Sequence, residues 1–403
     1  MSATMQDPMF QANLERTMGY APYGGATVEE CLATAARISG SDTRAWRAEW
    51  LATAGRAEAA AKDAIRAGDT TSARAALFRA SNYFRTAGVF TFDREGIDQV
   101  RETHAAEAAA FRRAAGMLER PPLELEIPYA DTTLPGYFFS TGEGLRRTMI
   151  VTNGYDGTVE ELYFNNAAEG LRRGYHVLVF DGPGQGSMII DRGVPIRPDW
   201  EQVVTPVVDH ALTLPGVDPE ALVLVGLSFG GYLAPRAATA EHRFAACVSD
   251  CGPYDLLDVT AAKFPGPLGH GIRRGHGLFH GAACRAAEGV LPKPTAGWAL
   301  RRNLLVHGVE TVSEFFAIAG EYTLRDREQL ITCPTFLCSG ELDDLSSYGA
   351  PRLNDRLACE HEYVTFSAAS GAGEHCHPGA RPIYHERVFA WLDHVLATEN
   401  AVA

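Results

Sequence analysis

The sequence predicts an α/β protein in which a mostly parallel sheet is covered by helices and preceded by an all-helical segment. Three observations carry that prediction. Residues 27–118 are rich in Ala, Arg and Glu and poor in strand formers, with short polar turns at Gly40-Ser41-Asp42 and Gly68-Asp69-Thr70. After Pro121-Pro122 the texture changes to short apolar runs separated by helix-length stretches, the alternation that builds parallel sheets. One of these runs, 221–227, closes on Gly226-Leu227-Ser228-Phe229-Gly230 and passes directly into a stretch suited to a helix.

In chain order, Ser41 or Asp42 can cap a helix that carries Trp46, Trp50, Leu51 and Ala54 on one stripe. Asp69 or Thr70 can cap a second that carries Ala73, Leu77, Ala80, Tyr83 and Phe84. The two read as an antiparallel hairpin without a repeated period, and their aromatic residues as core. Strands are expected at 123–129, 134–139, 148–152, 176–180, 222–225, 246–249, 335–338 and 363–366, with helices at 159–173, 200–213 and 232–239. The interval 253–331 is too long for a simple crossover and contains a Gly-, Pro- and His-rich stretch at 266–281, which predicts a helical cap over the carboxyl edge of the sheet. The expected division is an N-terminal helical domain at 1–120 and a sheet domain at 121–403 with the cap inserted.

A chain of 403 residues, 46% hydrophobic, can bury a large core in two parts. Its formal net charge of −14 repels phosphate backbones and anionic bilayers, so neither nucleic acid nor membrane is an expected partner. Residues 1–11 lack the basic start and apolar core of a signal peptide, which points to a cytoplasmic protein. The eight cysteines are scattered, and Cys247, Cys251, Cys333 and Cys338 fall in or beside expected strands as buried thiols. Neither a disulfide framework nor a zinc site is expected, and no cofactor.

The chemistry centres on Ser228. A tight strand-to-helix turn exposes its hydroxyl, but a serine is a weak nucleophile unless a histidine takes its proton and a carboxylate orients that histidine. In the order Ser, acid, His, the acid falls in Glu341-Leu342-Asp343-Asp344, where Asp343 is the candidate, Asp344 its neighbour and Glu341 a poorer third. The base falls in Glu374-His375-Cys376-His377, where His375 is preferred over His377. The His-x-His spacing offers too few ligands for metal hydrolysis. Oxyanion donors are the N–H of Phe229 and that of Tyr155, in the loop Asn153-Gly154-Tyr155-Asp156-Gly157-Thr158. Asp156, Glu160, His276 and His280 are candidate substrate contacts, the last two at i, i+4 spacing in the cap. The loop Asp181-Gly182-Pro183-Gly184-Gln185-Gly186 lacks dinucleotide-binding spacing, and Pro183 removes an amide that a phosphate would use.

Together, Asn153-Gly154-Tyr155-Asp156-Gly157-Thr158-Val159-Glu160-Glu161, Phe180-Asp181-Gly182-Pro183-Gly184-Gln185-Gly186, Gly226-Leu227-Ser228-Phe229-Gly230-Gly231 and Gly371-Ala372-Gly373-Glu374-His375-Cys376 resemble α/β-hydrolases with an N-terminal helical domain. The group includes dihydroxypseudooxynicotine hydrolase, a fungal pigment hydrolase that shortens a polyketide, and fermentation-respiration-switch esterase-like proteins. The helical half matches through 68–74 and 79–85. The resemblance implies an α/β-hydrolase fold, His375 as the base, and cleavage of a carbon–carbon bond next to a ketone, or of an ester, in a medium-sized aromatic or polyketide-type substrate. Gly373 departs from the group by standing where an acidic residue is expected, and His377 by standing where glutamine is common. The partners expected are a small-molecule substrate and, as an assembly, a homodimer. The same residues are compatible with a thioesterase or acyl-transferring cyclase of a biosynthetic pathway, and with a non-catalytic binding protein on a hydrolase fold.

Overall fold

The computed structural model describes residues 5–344 and 349–399. Five helices come first: α1 (Pro8–Met18), α2 (Val28–Ala35), α3 (Thr43–Arg66), α4 (Thr70–Gly88) and α5 (Ile97–Ala115). Both long helices of the expected hairpin start on an aspartate. Asp42 accepts from the N–H groups of Arg44 and Ala45, and Asp69 from that of Ser72. Ser41 instead donates its hydroxyl to Asp7, the cap of α1. Trp46, Trp50, Ala54, Leu77 and Tyr83 are buried as their spacing predicts, whereas Leu51 is half-buried.

Eight strands follow: β1 (Leu123–Tyr129), β2 (Thr132–Phe139), β3 (Arg146–Thr152), β4 (His176–Phe180), β5 (Val217–Leu227), β6 (Ala246–Asp250), β7 (Thr335–Gly340) and β8 (His361–Phe366). They form one sheet in the order β1-β2-β4-β3-β5-β6-β7-β8, antiparallel at β1, β2 and β4 and parallel from β4 onward. β5 begins five residues before the expected start at 222, because Val217 pairs with Arg146 across a bulge. The expected helix at 159–173 is interrupted: Val159–Leu162 and Ala168–Arg172 flank a π turn at Tyr163–Ala167. That turn carries Tyr163 and Phe164 into the aromatic contact described next.

The N-terminal helices lie on one face of the sheet and share its core. Phe78 of α4 stacks on Tyr163 at 4.8 Å, and Phe111 of α5 lies 5.2 Å from Tyr137 of β2, so one apolar cluster runs from Phe10 and Trp46 through to Val177, Val223 and Phe336. Burial of that continuous surface holds the helical part against the sheet, at ~25 cal/mol for each Å² of apolar area removed from water. Between β6 and β7 the insertion forms helices at Leu256–Ala262, Gly266–Arg274, Leu278–Glu288, Trp298–Val306 and Val312–Ala319. It reaches the helical part through Phe90 against Trp298 and an ion pair of Arg301 with Asp93 at 2.7 Å. No described helix is long and apolar enough to cross a membrane.

Candidate active site

Ser228 stands between β5 and the helix Gly230–Ala238, with φ +58°. A non-glycine residue in that left-handed region is strained, and the surrounding backbone holds it there: the Ser228 N–H donates to Asp250 O at 2.9 Å. The turn closes only because glycines flank it. A Cβ on Gly226 would lie 1.8 Å from Gly230 O, and one on Gly230 2.5 Å from Thr152 O.

The loops after β7 and β8 bring two partners to this hydroxyl. Ser228 Oγ lies 2.8 Å from His375 Nε2, and His375 Nδ1 lies 3.0 Å from Asp343 Oδ1. Asp343 is buried, while His375 keeps 21% of its side chain exposed, so the histidine is reachable from solvent and the carboxylate is not. Burial alone would lower the His375 pKa; the Asp343 carboxylate outweighs it and, with Cys251 and Asp250, raises the ring to about 9. The arrangement can carry a proton from the serine to an imidazole whose cationic form is stabilised by a buried carboxylate.

Gly154 packs against the serine, its Cβ direction ending 3.0 Å from Ser228 Cβ. Next to it, Tyr155 stacks on Phe229 at 4.2 Å. Among the described residues, neither the Tyr155 N–H nor the Phe229 N–H donates within the protein, and Phe229 occupies the N-cap of a nine-residue helix, where negative charge is favoured. The cap covers this corner: the Tyr155 hydroxyl meets His307 Nε2 at 2.9 Å, and Tyr322 packs on both His307 and Phe229. Burial, then the Arg302 charge, lowers His307 to about 3, so its ring is neutral.

The other sequence candidates are placed elsewhere. Asp344 is exposed and lines a cleft of about 530 Å³ with Tyr254, Asp258, Lys263 and Arg352, while Glu341 accepts from the Ala368 N–H at 2.7 Å and ties down the loop after β8. His377 is fully buried, with Nδ1 2.6 Å from Ala372 O and Nε2 3.2 Å from Asp250 Oδ1. Asp250 also binds Arg381, whose Nη1 lies 2.6 Å away. This buried set of Asp250, His377 and Arg381 supports the histidine loop from below. Nothing in the spacing of those residues announced it.

The four candidate substrate contacts lie in different surroundings. His276 and His280 do not share a helix face: Gly275, at φ +71°, ends one helix, and the next begins at Leu278. His276 is left on the surface, and His280 sits against Phe316 and Ser313. Asp156 is held by Arg16 at 3.1 Å and Arg302 at 3.5 Å, and these cations outweigh burial to keep its carboxyl at about 2. Glu160 is buried beside His104 of α5, at 3.8 Å, and Tyr137. Both carboxylates therefore face the N-terminal helices, a tertiary contact that local spacing does not encode.

Residues 134–384 match the alpha/beta hydrolase family. Hydrolase acrC of Aspergillus aculeatus is 33% identical over 417 residues, covering 95% of this chain and 96% of the relative. The 20-hydroxy-prefusarin hydrolase of Gibberella moniliformis is 32% identical over 427 residues and all of both chains. Among solved structures, 2,6-dihydroxy-pseudo-oxynicotine hydrolase superposes with a TM-score of 0.74 over 94% of this chain and 96% of its own, at 23% identity, a likeness of fold that includes the N-terminal helices. The chain is a hydrolase, and it belongs to the alpha/beta hydrolase family.

Proposed function

We propose that this hydrolase attacks a carbonyl carbon of a medium-sized organic substrate through Ser228, with His375 as the base and Asp343 as its orienting acid. The observation that carries the reading is the unbroken chain from Ser228 Oγ to His375 at 2.8 Å and on to Asp343 at 3.0 Å. The serine adds to the carbonyl as its proton moves to His375 Nε2, and the resulting oxyanion is met by the Phe229 and Tyr155 N–H groups. His375 returns the proton to the leaving group, which departs as an alcohol from an ester or as a carbon acid from a ketone. Water, activated by the same imidazole, then releases the acyl group. Tyr155 stacks on Phe229 with Tyr322 tilted against it, and this aromatic cluster next to the nucleophile supports an aromatic or polyketide-type substrate. The full-length similarity to a 20-hydroxy-prefusarin hydrolase supports a substrate of small-molecule size.

The test is active-site labelling. The wild-type protein reacts with a fluorophosphonate probe and turns over members of an ester and β-diketone panel. Ser228→Ala loses both. A Ser228→Ala protein that labels as well as wild type overturns the assignment.

A further inference from the structure

Beside the proposed triad, three potential ligand atoms converge that the reaction does not use together: the thiol sulfurs of Cys251 and Cys376 and a ring nitrogen of His375, all within 4.8 Å of one another. Cys251 follows β6, and Cys376 follows His375 with φ +57°. The Cys376 N–H donates to Cys251 Sγ at 3.2 Å, which fixes the two residues against each other. We propose that Cys251, Cys376 and His375 form a binding site for a thiophilic divalent cation of the Zn2+ type, and that the bound cation silences the hydrolase.

Two thiolates and an imidazole, with a fourth position open to water, make a donor set suited to tetrahedral Zn2+. Zinc–sulfur and zinc–nitrogen bonds of roughly 2.0–2.3 Å bring ligand atoms to within about 4 Å of each other, so the site needs only a small contraction. Binding displaces to solvent whatever protons the two sulfurs and the coordinating ring nitrogen carry, and changes no oxidation state. The cation has an approach, because His375 and Cys376 are only partly buried. A second cluster, Asp250, Cys251 and His377, is fully buried, and the Arg381 guanidinium at 2.6 Å from Asp250 repels a cation there. The more exposed cluster is therefore the site. Inhibition follows from His375 itself: Nε2 serves Ser228 and Nδ1 serves Asp343, so coordination through either nitrogen breaks the triad. Only this inhibitory half rests on the proposed function; cation binding stands on the geometry.

The experiment uses full-length protein stripped with chelator. Titration with Co2+ should give the near-ultraviolet thiolate-to-cobalt charge-transfer band at one equivalent, displaced by Zn2+. Zn2+ should slow fluorophosphonate labelling at least about tenfold, with recovery on chelation. Cys376→Ser should weaken both responses by about tenfold or more, and Cys251→Ser likewise if it folds. Cys359→Ser, which changes another partly buried thiol, should respond as wild type. Absence of the thiolate band, wild-type cobalt affinity in Cys376→Ser, or loss of the band in Cys359→Ser overturns the site. A cobalt band with labelling unaffected by Zn2+ overturns the inhibition alone. If wild type fails to label at all, the proposed function fails while the cobalt titration still decides the metal site.

Discussion

Replacing Asp343 by Asn tests the proposed acid most directly. His375 stands at about 9 in the folded protein, against roughly 6.5 for a free imidazole, and Asp343 is the largest cause of the rise. Returning the ring to its free value removes about 3 kcal/mol of imidazolium stabilisation, roughly two powers of ten in rate. An asparagine that presents its amide N–H to Nδ1 also favours the tautomer protonated at Nε2, which cannot accept the Ser228 proton. The combined expectation is a fall in kcat of about 10²- to 10⁴-fold with little change in KM. A base works only when neutral, so wild-type kcat/KM should be lost as pH falls through about 9, and the residual activity of Asp343→Asn should persist to lower pH. The assay is kcat/KM from pH 5 to 10 on any turned-over ester, with Asp344→Asn in parallel. Retention of more than a third of wild-type activity in Asp343→Asn, or a large loss confined to Asp344→Asn, refutes the reasoning.

Gly154→Ala places a methyl group 3.0 Å from Ser228 Cβ and 3.2 Å from its Oγ, so labelling should slow at least about tenfold while the melting temperature stays within about 2 °C; unchanged labelling contradicts this. Arg16 pairs with Glu161 at 2.6 Å and Asp156 at 3.1 Å, and the Glu161 side chain is 1% exposed. Arg16→Ala should therefore cost about 3 kcal/mol in urea unfolding by leaving Glu161 to Arg85 alone at 3.4 Å and Asp156 to Arg302 alone at 3.5 Å, and a loss below about 1 kcal/mol would be inconsistent with that burial. Burial, then the Glu160 charge, raises Glu107 to about 8, so the folded state keeps a proton that the unfolded chain releases near 4.3. That contribution is fully present below about pH 4 and lost as pH rises toward 8. Glu107→Gln, which preserves an acceptor for the Thr158 hydroxyl at 2.5 Å, should raise the melting temperature by several degrees at pH 8 and not at pH 4; equal shifts at both would contradict it.

The strands were legible because a buried parallel strand needs a continuous apolar run, and runs such as 176–180 have no competing helical period. The elbow was legible because Gly226 and Gly230 answer a local steric demand, set by backbone atoms a few residues apart or on the adjoining strand. The positions offered for acid and base were bounded by the same logic, since each follows a recognisable strand. Choosing within them was a tertiary matter: Asp343 and Asp344 are chemically identical neighbours, and only the path of the loop turns the first inward and the second out.

The N-terminal helices were also readable, from Asp caps and an apolar stripe, yet their place was not. Helical spacing says that Leu77 and Tyr83 face a core, not that Phe78 beside them meets Tyr163 or that Phe111 meets Tyr137. The same limit explains Asp156 and Glu160. As candidate substrate contacts the two carboxylates follow from their place near the nucleophile, and nothing local shows that α1 brings Arg16 to the one and α5 brings His104 to the other. What the sequence alone determined was therefore what short-range sterics and periodicity impose: the sheet, the elbow, the caps and the set of possible partners. Which carboxylate faces His375, which histidine is fully buried, and how two cysteines far apart in the chain meet beside His375 were decided by packing, because charge and hydrogen bonding act through space and carry no mark of sequence distance.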